Sequence, residues 1–184
     1  MSAAMSEITT QSIVVLLAGV AAAFDLRTGR IPNWLTLPML VAGPLFWVLT
    51  RGPMAGLIES VGGILLCGFP PFVVYRAGGM PGGDLKMFAG VGGLVGPVVG
   101  IEIEFFAMLS AAVFAVGLLV AKGRLGETLS RALFSVANRF LLERWRRPLA
   151  DPSPMSIRIG PFILAGALIA IYQHRQLWVD YFEG

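Results

Sequence analysis

Residues 13–33 read IVVLLAGVAAAFDLRTGRIPN, an apolar run that leads directly into a short polar segment. A transmembrane helix needs about 20 mostly apolar residues, and basic residues collect on its cytoplasmic side. Here Arg27 and Arg30 follow the run, whereas no Lys or Arg precedes it, so the basic start of a signal peptide is absent. The stretch therefore predicts an uncleaved first transmembrane helix with its N-terminus outside.

The composition extends this prediction to the whole chain. Hydrophobic residues make up 56% of the 184 residues and charged residues 14%, and the mean hydropathy is +0.77. Soluble domains are usually about 25% charged, so too few polar residues remain to cover a water-soluble core. We expect an all-α integral membrane protein, a polytopic bundle of about six transmembrane helices. The apolar stretches are Thr9–Phe24, Leu35–Thr50, Met54–Tyr75, Lys86–Gly100, Phe105–Ala121 and Gly160–Gln173.

The basic residues predict the orientation of this bundle. Of the 14 Lys and Arg residues, all but Arg51 and Arg175 fall on connections that are internal if the N-terminus is outside. The net charge of +3 therefore needs no nucleic acid to explain it. The connection at about 122–158 carries apolar residues at helical spacing between Leu129 and Phe140, with arginines among them. It predicts a cytoplasmic amphipathic loop on the inner leaflet, within a single membrane-embedded domain that spans residues 1–184.

Two polar segments at the inner face could carry chemistry. Residues 24–33 contain Asp25, and residues 78–86, GGMPGGDLK, contain Asp84. One aspartate beside a basic residue is usually a solvated charge, but the third helix must return the chain to the same face, so both aspartates lie there. Two nearby carboxylates do not ionise together easily, so one keeps a proton. An acid and a base that share one water are the groups needed for peptide hydrolysis.

Other catalytic classes have few residues to draw on. Cys67 is the single cysteine and His174 the single histidine, which excludes an internal disulfide, a cysteine-based zinc site and most histidine-rich metal sites. A serine or cysteine hydrolase would have to use His174. That residue lies beside Arg175 near the C-terminus, where an interfacial polar role is expected.

The two segments together resemble the type IV prepilin peptidase family, membrane aspartyl proteases of the GxGD kind. The family's first pattern, Asp-x6-Pro-Asn, is matched by Asp25, Pro32 and Asn33. Its second pattern, Gly-x-Gly-Asp-x-Lys before a helix rich in Ala and Gly, is matched by Gly83, Asp84 and Lys86. The helix match consists of Ala89, Gly92 and Gly96, and a weaker third match consists of Ile159-Gly160-Pro161-Phe162 with Gly166-Ala167.

One position departs from the family's pattern. Pro81 stands where the first glycine is expected. Proline fixes φ near −65°, so it would distort the site if this position needed a positive φ. Neighbouring glycines, Gly78, Gly79 and Gly82, could absorb the difference.

The resemblance implies a function and a set of site residues. Asp25 and Asp84 would be catalytic, and the residues that shape the site or lie beside the substrate would be Arg27, Pro32, Asn33, Gly82, Gly83 and Lys86. The chain lacks the paired-cysteine domain of methylating relatives and resembles the compact branch that processes Flp/Tad-type prepilins. It would remove a short basic leader, usually after a glycine, at the cytoplasmic face of the inner membrane. The resemblance implies a prepilin substrate and the lipid bilayer as partners, and neither a metal nor an organic cofactor.

Three other interpretations stay open. A small transporter or proton-relay protein could use the same aspartates, and it would need acidic groups along a path through the bilayer. Glu59 is a possible buried polar contact, whereas Glu102 and Glu104 are expected to be outer-surface charges. A non-catalytic assembly subunit and an archaeal preflagellin peptidase are the remaining alternatives.

Helix-end fields also suggest roles within the aspartate pair. Asp25 follows the first helix, at its partially negative end, and Asp84 precedes the fourth, at its partially positive end. The sequence therefore predicts that Asp84 ionises first and acts as the base.

Overall fold

The computed structural model describes residues 3–123 and 158–183, with residues 126, 128 and 130 in addition. These residues are helical, apart from short turns, and contain no strand. The helices are α1 (Ala3–Thr28), α2 (Asn33–Arg51), α3 (Pro53–Arg76), α4 (Gly82–Val95), α5 (Pro97–Ala121) and α6 (Gly160–Glu183). The predicted all-α architecture is confirmed. The amphipathic loop expected at about 122–158 lies almost wholly outside the described residues.

Four of these helices are long and apolar enough to cross a membrane: Met5–Thr28 of α1, α2, α3 and α5. Gly160–His174, in α6, is a shorter apolar helix. Large apolar side chains on their outer faces are exposed, among them Leu49 and Met54, each at 76%. Exposure of such large apolar side chains to water is unfavourable, whereas their exposure to lipid is favourable. The chain is a polytopic membrane protein.

The chain divides into two compact units. One consists of Met1–Ser110 and Arg158–Gly184, and the other of Ala111–Ile157. Every contact of the candidate site described below lies in the first unit.

Close helix packing holds α4 inside the first unit. Residues 87–95 of α4 are all buried. An added Cβ at Gly63 of α3 would collide with the Gly92 backbone, and one at Gly43 of α2 would collide with the Gly93 backbone. Small residues let helix backbones approach this closely in lipid. Since α4 has little room to move, the residues at its N-terminal end are also held in place.

The far end of α4 is fixed by hydrogen bonds to its carbonyl oxygens. Ser60 Oγ donates to the Gly93 oxygen at 2.7 Å, and Trp47 Nε1 donates to the Leu94 oxygen at 2.9 Å. The helix then stops at Gly96, whose φ of +83° favours glycine. An added Cβ at Gly96 would also collide with the Glu59 carboxyl group.

The boundary between α4 and α5 differs from the one predicted. The fourth apolar stretch was expected to continue to Gly100, but α4 ends at Val95 and α5 begins at Pro97. The cause is the combination of a left-handed glycine, Gly96, with a proline that has no amide hydrogen to continue the helix. With 14 residues, α4 is about 21 Å long, less than the roughly 30 Å of a bilayer core.

This shift changes the position of one acidic residue. Glu104 was expected on the outer surface, and this expectation was wrong, because the residue lies within α5 and is only 5% exposed. The fifth apolar stretch was expected to begin at Phe105, whereas α5 begins at Pro97, so Glu104 lies inside a helix and not on the connection before it.

Helix α6 packs against α1. An added Cβ at Gly166 would meet the backbone of Ile103 and Ala107, so α6 also lies against the first half of α5. This packing brings the N-terminal end of α6 to the C-terminal end of α1, where Asp25 lies.

Candidate active site

Asp25 is a buried carboxyl at the C-terminal end of α1. The residue is only 3% exposed. The helix closes just after it, since the Gly29 N–H donates to the Asp25 carbonyl oxygen at 2.8 Å with Gly29 at a φ of +67°. The Thr28 hydroxyl donates to the Phe24 carbonyl oxygen at 2.8 Å. The sequence ends the helix here because glycine readily adopts the left-handed conformation.

The chain after the undescribed segment returns to this point. The Gly160 N–H, the first of α6, donates to Asp25 Oδ2 at 2.8 Å. The Arg158 guanidinium donates to the carbonyl oxygen of Leu26. An added Cβ at Gly160 would lie 2.8 Å from the Asp25 Cβ and 3.1 Å from Oδ2, so a larger residue does not fit.

Asp84 lies in the first turn of α4 and is 4% exposed. Pro81 precedes the helix with φ −66° and ψ 149°, which is the geometry that proline imposes. The described residues with positive φ are glycines, Gly78 among them, and Gly82 and Gly83 are not in that group. Proline therefore fits the position of the family's first glycine, and the distortion considered from sequence does not arise.

The two aspartates interact electrostatically. Asp84 precedes the apolar part of α4 and lies outside the four candidate spans. Burial, followed by the charge of the nearby Asp25, raises the pKa of the Asp84 carboxyl from 3.8 to about 7. Near neutral pH, Asp84 therefore retains a proton for much of the time. The helix-end field at the start of α4 favours the ionised form of Asp84, and desolvation outweighs this effect of about 1 kcal/mol or less.

Two further contacts join the polar segments. An added Cβ at Gly83 would lie 2.9 Å from the Ile31 carbonyl oxygen, so the backbones of the two segments pass close together. Lys86 Nζ donates to Asn33 Oδ1 at 2.9 Å. The residues that the sequence picked out in separate motifs are thus neighbours.

A cleft of about 580 Å³ opens between the two segments. Arg30 is the charged residue in its lining, and Arg27 is exposed nearby on α1 without lining it. Pro32, Asn33, Gly82 and Gly83, which the sequence assigned to the site, all line the cleft. The full lining is Phe24, Thr28, Arg30, Ile31, Pro32, Asn33, Pro81, Gly82 and Gly83.

The acidic side chains that the structure describes outside this site have local partners or are buried. Glu59, a possible buried contact by sequence, is half-buried and pairs with Arg51 at 3.3 Å. Glu102 pairs with His174 at 2.5 Å. The part of the chain that the structure describes contains no cluster of three His, Cys, Asp or Glu side chains that could hold a metal ion.

Sequence reasoning missed the contribution of Arg158 and Gly160 to the surroundings of Asp25. The available signal was the weak third match at Ile159–Phe162. Its connection to Asp25 depends on packing between helices far apart in sequence, which no local pattern reveals.

These features define a class of protein, a helical membrane protein with two buried, interacting aspartates in the two polar segments between which a cleft opens. The profile of the type IV leader peptidase family matches residues 12–116. This region is more than half of the chain, and it contains both Asp25 and Asp84. The chain therefore belongs to the type IV leader peptidase family and is a leader peptidase-like protease. A search among curated proteins and a search among solved structures each found no significant match.

Proposed function

We propose that this protein is an aspartyl leader peptidase that removes the short basic leader of Flp/Tad-type prepilins. The observation that supports this most directly is the buried pair of Asp25 and Asp84, which interact. Their sequence neighbours Phe24 and Gly83 line the cleft, although the two aspartates themselves do not. Burial of charged groups costs free energy. Two carboxyls kept buried in so apolar a protein therefore indicate a functional role. The absence of a second cysteine in the chain supports the compact branch over relatives with a paired-cysteine domain.

In the proposed mechanism, the two carboxyls divide the work. Asp25 is the ionised base, and Asp84 carries the proton. Asp25 accepts a proton from a water molecule as the water oxygen attacks the scissile carbonyl carbon, and Asp84 donates its proton to the carbonyl oxygen. The tetrahedral intermediate then breaks its C–N bond, the leaving amine takes a proton from Asp25, and Asp84 recovers one from the gem-diol. Each carboxyl ends in the state in which it began.

The cleft supports an extended peptide as the substrate. Its lining has little bulk beside Asp84, because Gly82, Gly83 and Pro81 present mainly backbone and a proline ring. A peptide with a small residue before the scissile bond would reach the carboxyls most easily, in keeping with a leader cut after glycine. The volume of about 580 Å³ accommodates several residues of such a peptide.

The positive-inside distribution supports a cytoplasmic location for the site in the inner membrane. Arg27, Arg30, Arg76 and Lys86 all lie on or beside the segments that carry the aspartates. A leader that has not crossed the membrane would meet the protease on this side.

Co-expression with a Flp-type prepilin tests the proposal. We expect the leader to be lost with the unaltered chain and kept with Asp25→Asn or Asp84→Asn, since asparagine preserves shape without the proton chemistry. Glu59→Gln is the matched control, because Glu59 is a carboxyl paired with Arg51 at the opposite end of α4. Normal cleavage by either aspartate variant would overturn the proposed pair.

A proton relay is the alternative that uses the same aspartates. Its best support is Glu104, a third buried carboxyl, whose Oε2 has no hydrogen-bond partner among the described residues. Glu104→Gln distinguishes the two functions, because a peptidase should cleave normally without this carboxyl. No cleavage by the unaltered chain, together with proton transport into liposomes that Glu104→Gln abolishes, would favour the relay.

A further inference from the structure

The N-terminal end of α6 lies outside the region matched by the family profile, which ends at residue 116. It nevertheless contacts one of the two candidate catalytic groups. The Gly160 N–H and Asp25 Oδ2 are 2.8 Å apart although 135 residues separate them in sequence. Both residues are buried. Water therefore does not readily replace this hydrogen bond.

The local sequence leaves the Gly160 N–H free to serve the aspartate. The first amides of a helix have no partner within the helix. Pro161 has no N–H, and the amides of Phe162 and Ile163 donate to the Ile159 carbonyl oxygen at 2.9 and 3.1 Å. The Gly160 amide is the remaining donor of the first turn, and the Asp25 carboxyl accepts from it.

Steric fit makes glycine necessary at this position. An added Cβ at Gly160 would lie 2.8 Å from the Asp25 Cβ and 3.1 Å from the Ala22 Cα. A methyl group there would push α6 away from α1 and lengthen the hydrogen bond. Glycine at this position therefore allows both the close approach of α6 to α1 and the backbone hydrogen bond to Asp25.

A second contact fixes the same segment. The Arg158 guanidinium donates to the Leu26 carbonyl oxygen, one residue after Asp25. The last carbonyls of α1 lack helix partners, and Arg158 satisfies one of them. Residues 158–160 thus hold both the backbone and the side chain at the end of α1.

We propose that Gly160 is a positioning residue of the active site, whose backbone N–H holds Oδ2 of Asp25 and leaves Oδ1 to accept the proton of the attacking water. Arg158 assists by holding the segment against α1. This inference rests on the proposed peptidase function for its catalytic meaning.

Removal of one backbone donor tests the proposal with little change in shape. Replacing the Gly160 amide with an ester, by incorporation of glycolic acid, deletes the N–H alone. The matched control is an ester at Ile163, which deletes an ordinary helix bond of the same turn that does not involve Asp25. Gly166→Ala is a second control, because its methyl disturbs α6 packing against α5 rather than Asp25.

Two readouts separate this role from simple support of the fold. For folded protein in liposomes, we expect kcat on a prepilin substrate to fall roughly tenfold to hundredfold with the Gly160 ester, as for a lost hydrogen bond to a charged group, while KM changes little. The Ile163 ester and Gly166→Ala should lower the amount of folded protein and leave both quantities unchanged.

An infrared measurement gives a result that does not depend on cleavage. In an Asp84→Asn background, the band assigned to Asp25 by subtraction of the Asp25→Asn/Asp84→Asn spectrum should shift with the Gly160 ester and not with the Ile163 ester. A shift with no cleavage by the unaltered chain would support the contact and refute the peptidase function. Cleavage by the unaltered chain with no shift, and no kcat difference between the two esters, would overturn the inference.

Discussion

Lys86 Nζ donates a 2.9 Å hydrogen bond to Asn33 Oδ1, and these residues belong to the two separate polar segments that carry the aspartates. The bond joins the start of α2 to the first turn of α4. Since α4 is held by close packing along its length, this contact ties the more exposed 24–33 segment to a fixed element. Leader cleavage should therefore depend on the hydrogen bond between Lys86 and Asn33, and not only on the charge of Lys86.

Lys86→Met should lower kcat/KM for leader cleavage by roughly threefold to tenfold, the range for one partly exposed charged hydrogen bond. Asn33→Ala should have a similar effect. If the contact is what matters, the double variant should be little worse than either single one. If the double variant instead loses activity by the product of the two single losses, Lys86 and Asn33 act separately.

The adjacent glycines of the second segment should differ in their tolerance of alanine. An added Cβ at Gly83 meets the Ile31 carbonyl oxygen at 2.9 Å, whereas one at Gly82 meets only the Tyr75 ring at 3.6 Å, an ordinary contact. Gly83→Ala should therefore separate the segments and strongly reduce cleavage, whereas Gly82→Ala should keep most of it.

The measurement for this pair is leader cleavage per amount of membrane-inserted protein. Both variants lie in the same turn and add the same methyl group, so each controls for the other. Equal losses would mean that the close approach of Gly83 to Ile31 is not important for the site.

The sequence predicted the helices and the two aspartates well because their signals are local. Apolar runs such as Met54–Tyr75 lie within a residue or two of the observed helix, Pro53–Arg76, since a bilayer demands a continuous apolar segment. Asp25 and Asp84 could be identified because carboxylates next to apolar helices are costly at membrane depth and are therefore rare there.

The remaining features depend on contacts between distant residues. The Gly96–Pro97 break was missed because hydropathy changes little across it, although backbone geometry does. The raised pKa of the Asp84 carboxyl was missed because helix-end fields can be read from sequence, whereas the burial of Asp84 cannot. Gly160 was noticed as a pattern, but its hydrogen bond to Asp25 emerges only when α6 packs on α1.

Replacement of Pro81 tests how far this site follows the family's loop geometry. Pro81 has a φ of −66° and an extended ψ, a conformation that glycine also adopts. Pro81→Gly should keep cleavage near normal while lowering the free energy of unfolding by about 0.4–1 kcal/mol, because glycine has more freedom in the unfolded chain. Cleavage assays and chemical unfolding measure the two effects, and complete loss of activity would show that the proline ring itself contacts the substrate.

Labelling of an introduced cysteine tests the orientation of the chain in the membrane. Cys67 is buried, so a charged thiol reagent should react with an introduced cysteine in preference to it. Ala77→Cys, exposed between α3 and α4, should react only after the cells are opened, whereas Ala55→Cys, exposed near the start of α3, should react in intact cells. The reverse pattern would put Asp25 and Asp84 outside the cell and remove the basis for leader cleavage at the cytoplasmic face.

The pH dependence of cleavage follows from the raised pKa of Asp84. In the proposed mechanism this carboxyl must be protonated, and its pKa lies at about 7. Below that pH the proton is present. Above it, the required form declines about tenfold per pH unit, so kcat/KM should fall with a slope of −1 on a logarithmic plot. A prepilin substrate with an acetylated N-terminus removes the α-amino group, which titrates at about 7.7–8.0 and would confuse the same range. Recovery of activity on return to pH 6 would separate titration from unfolding. A rate that stays constant up to pH 9 would show that Asp84 does not act as the acid, and the roles in the pair would have to be exchanged.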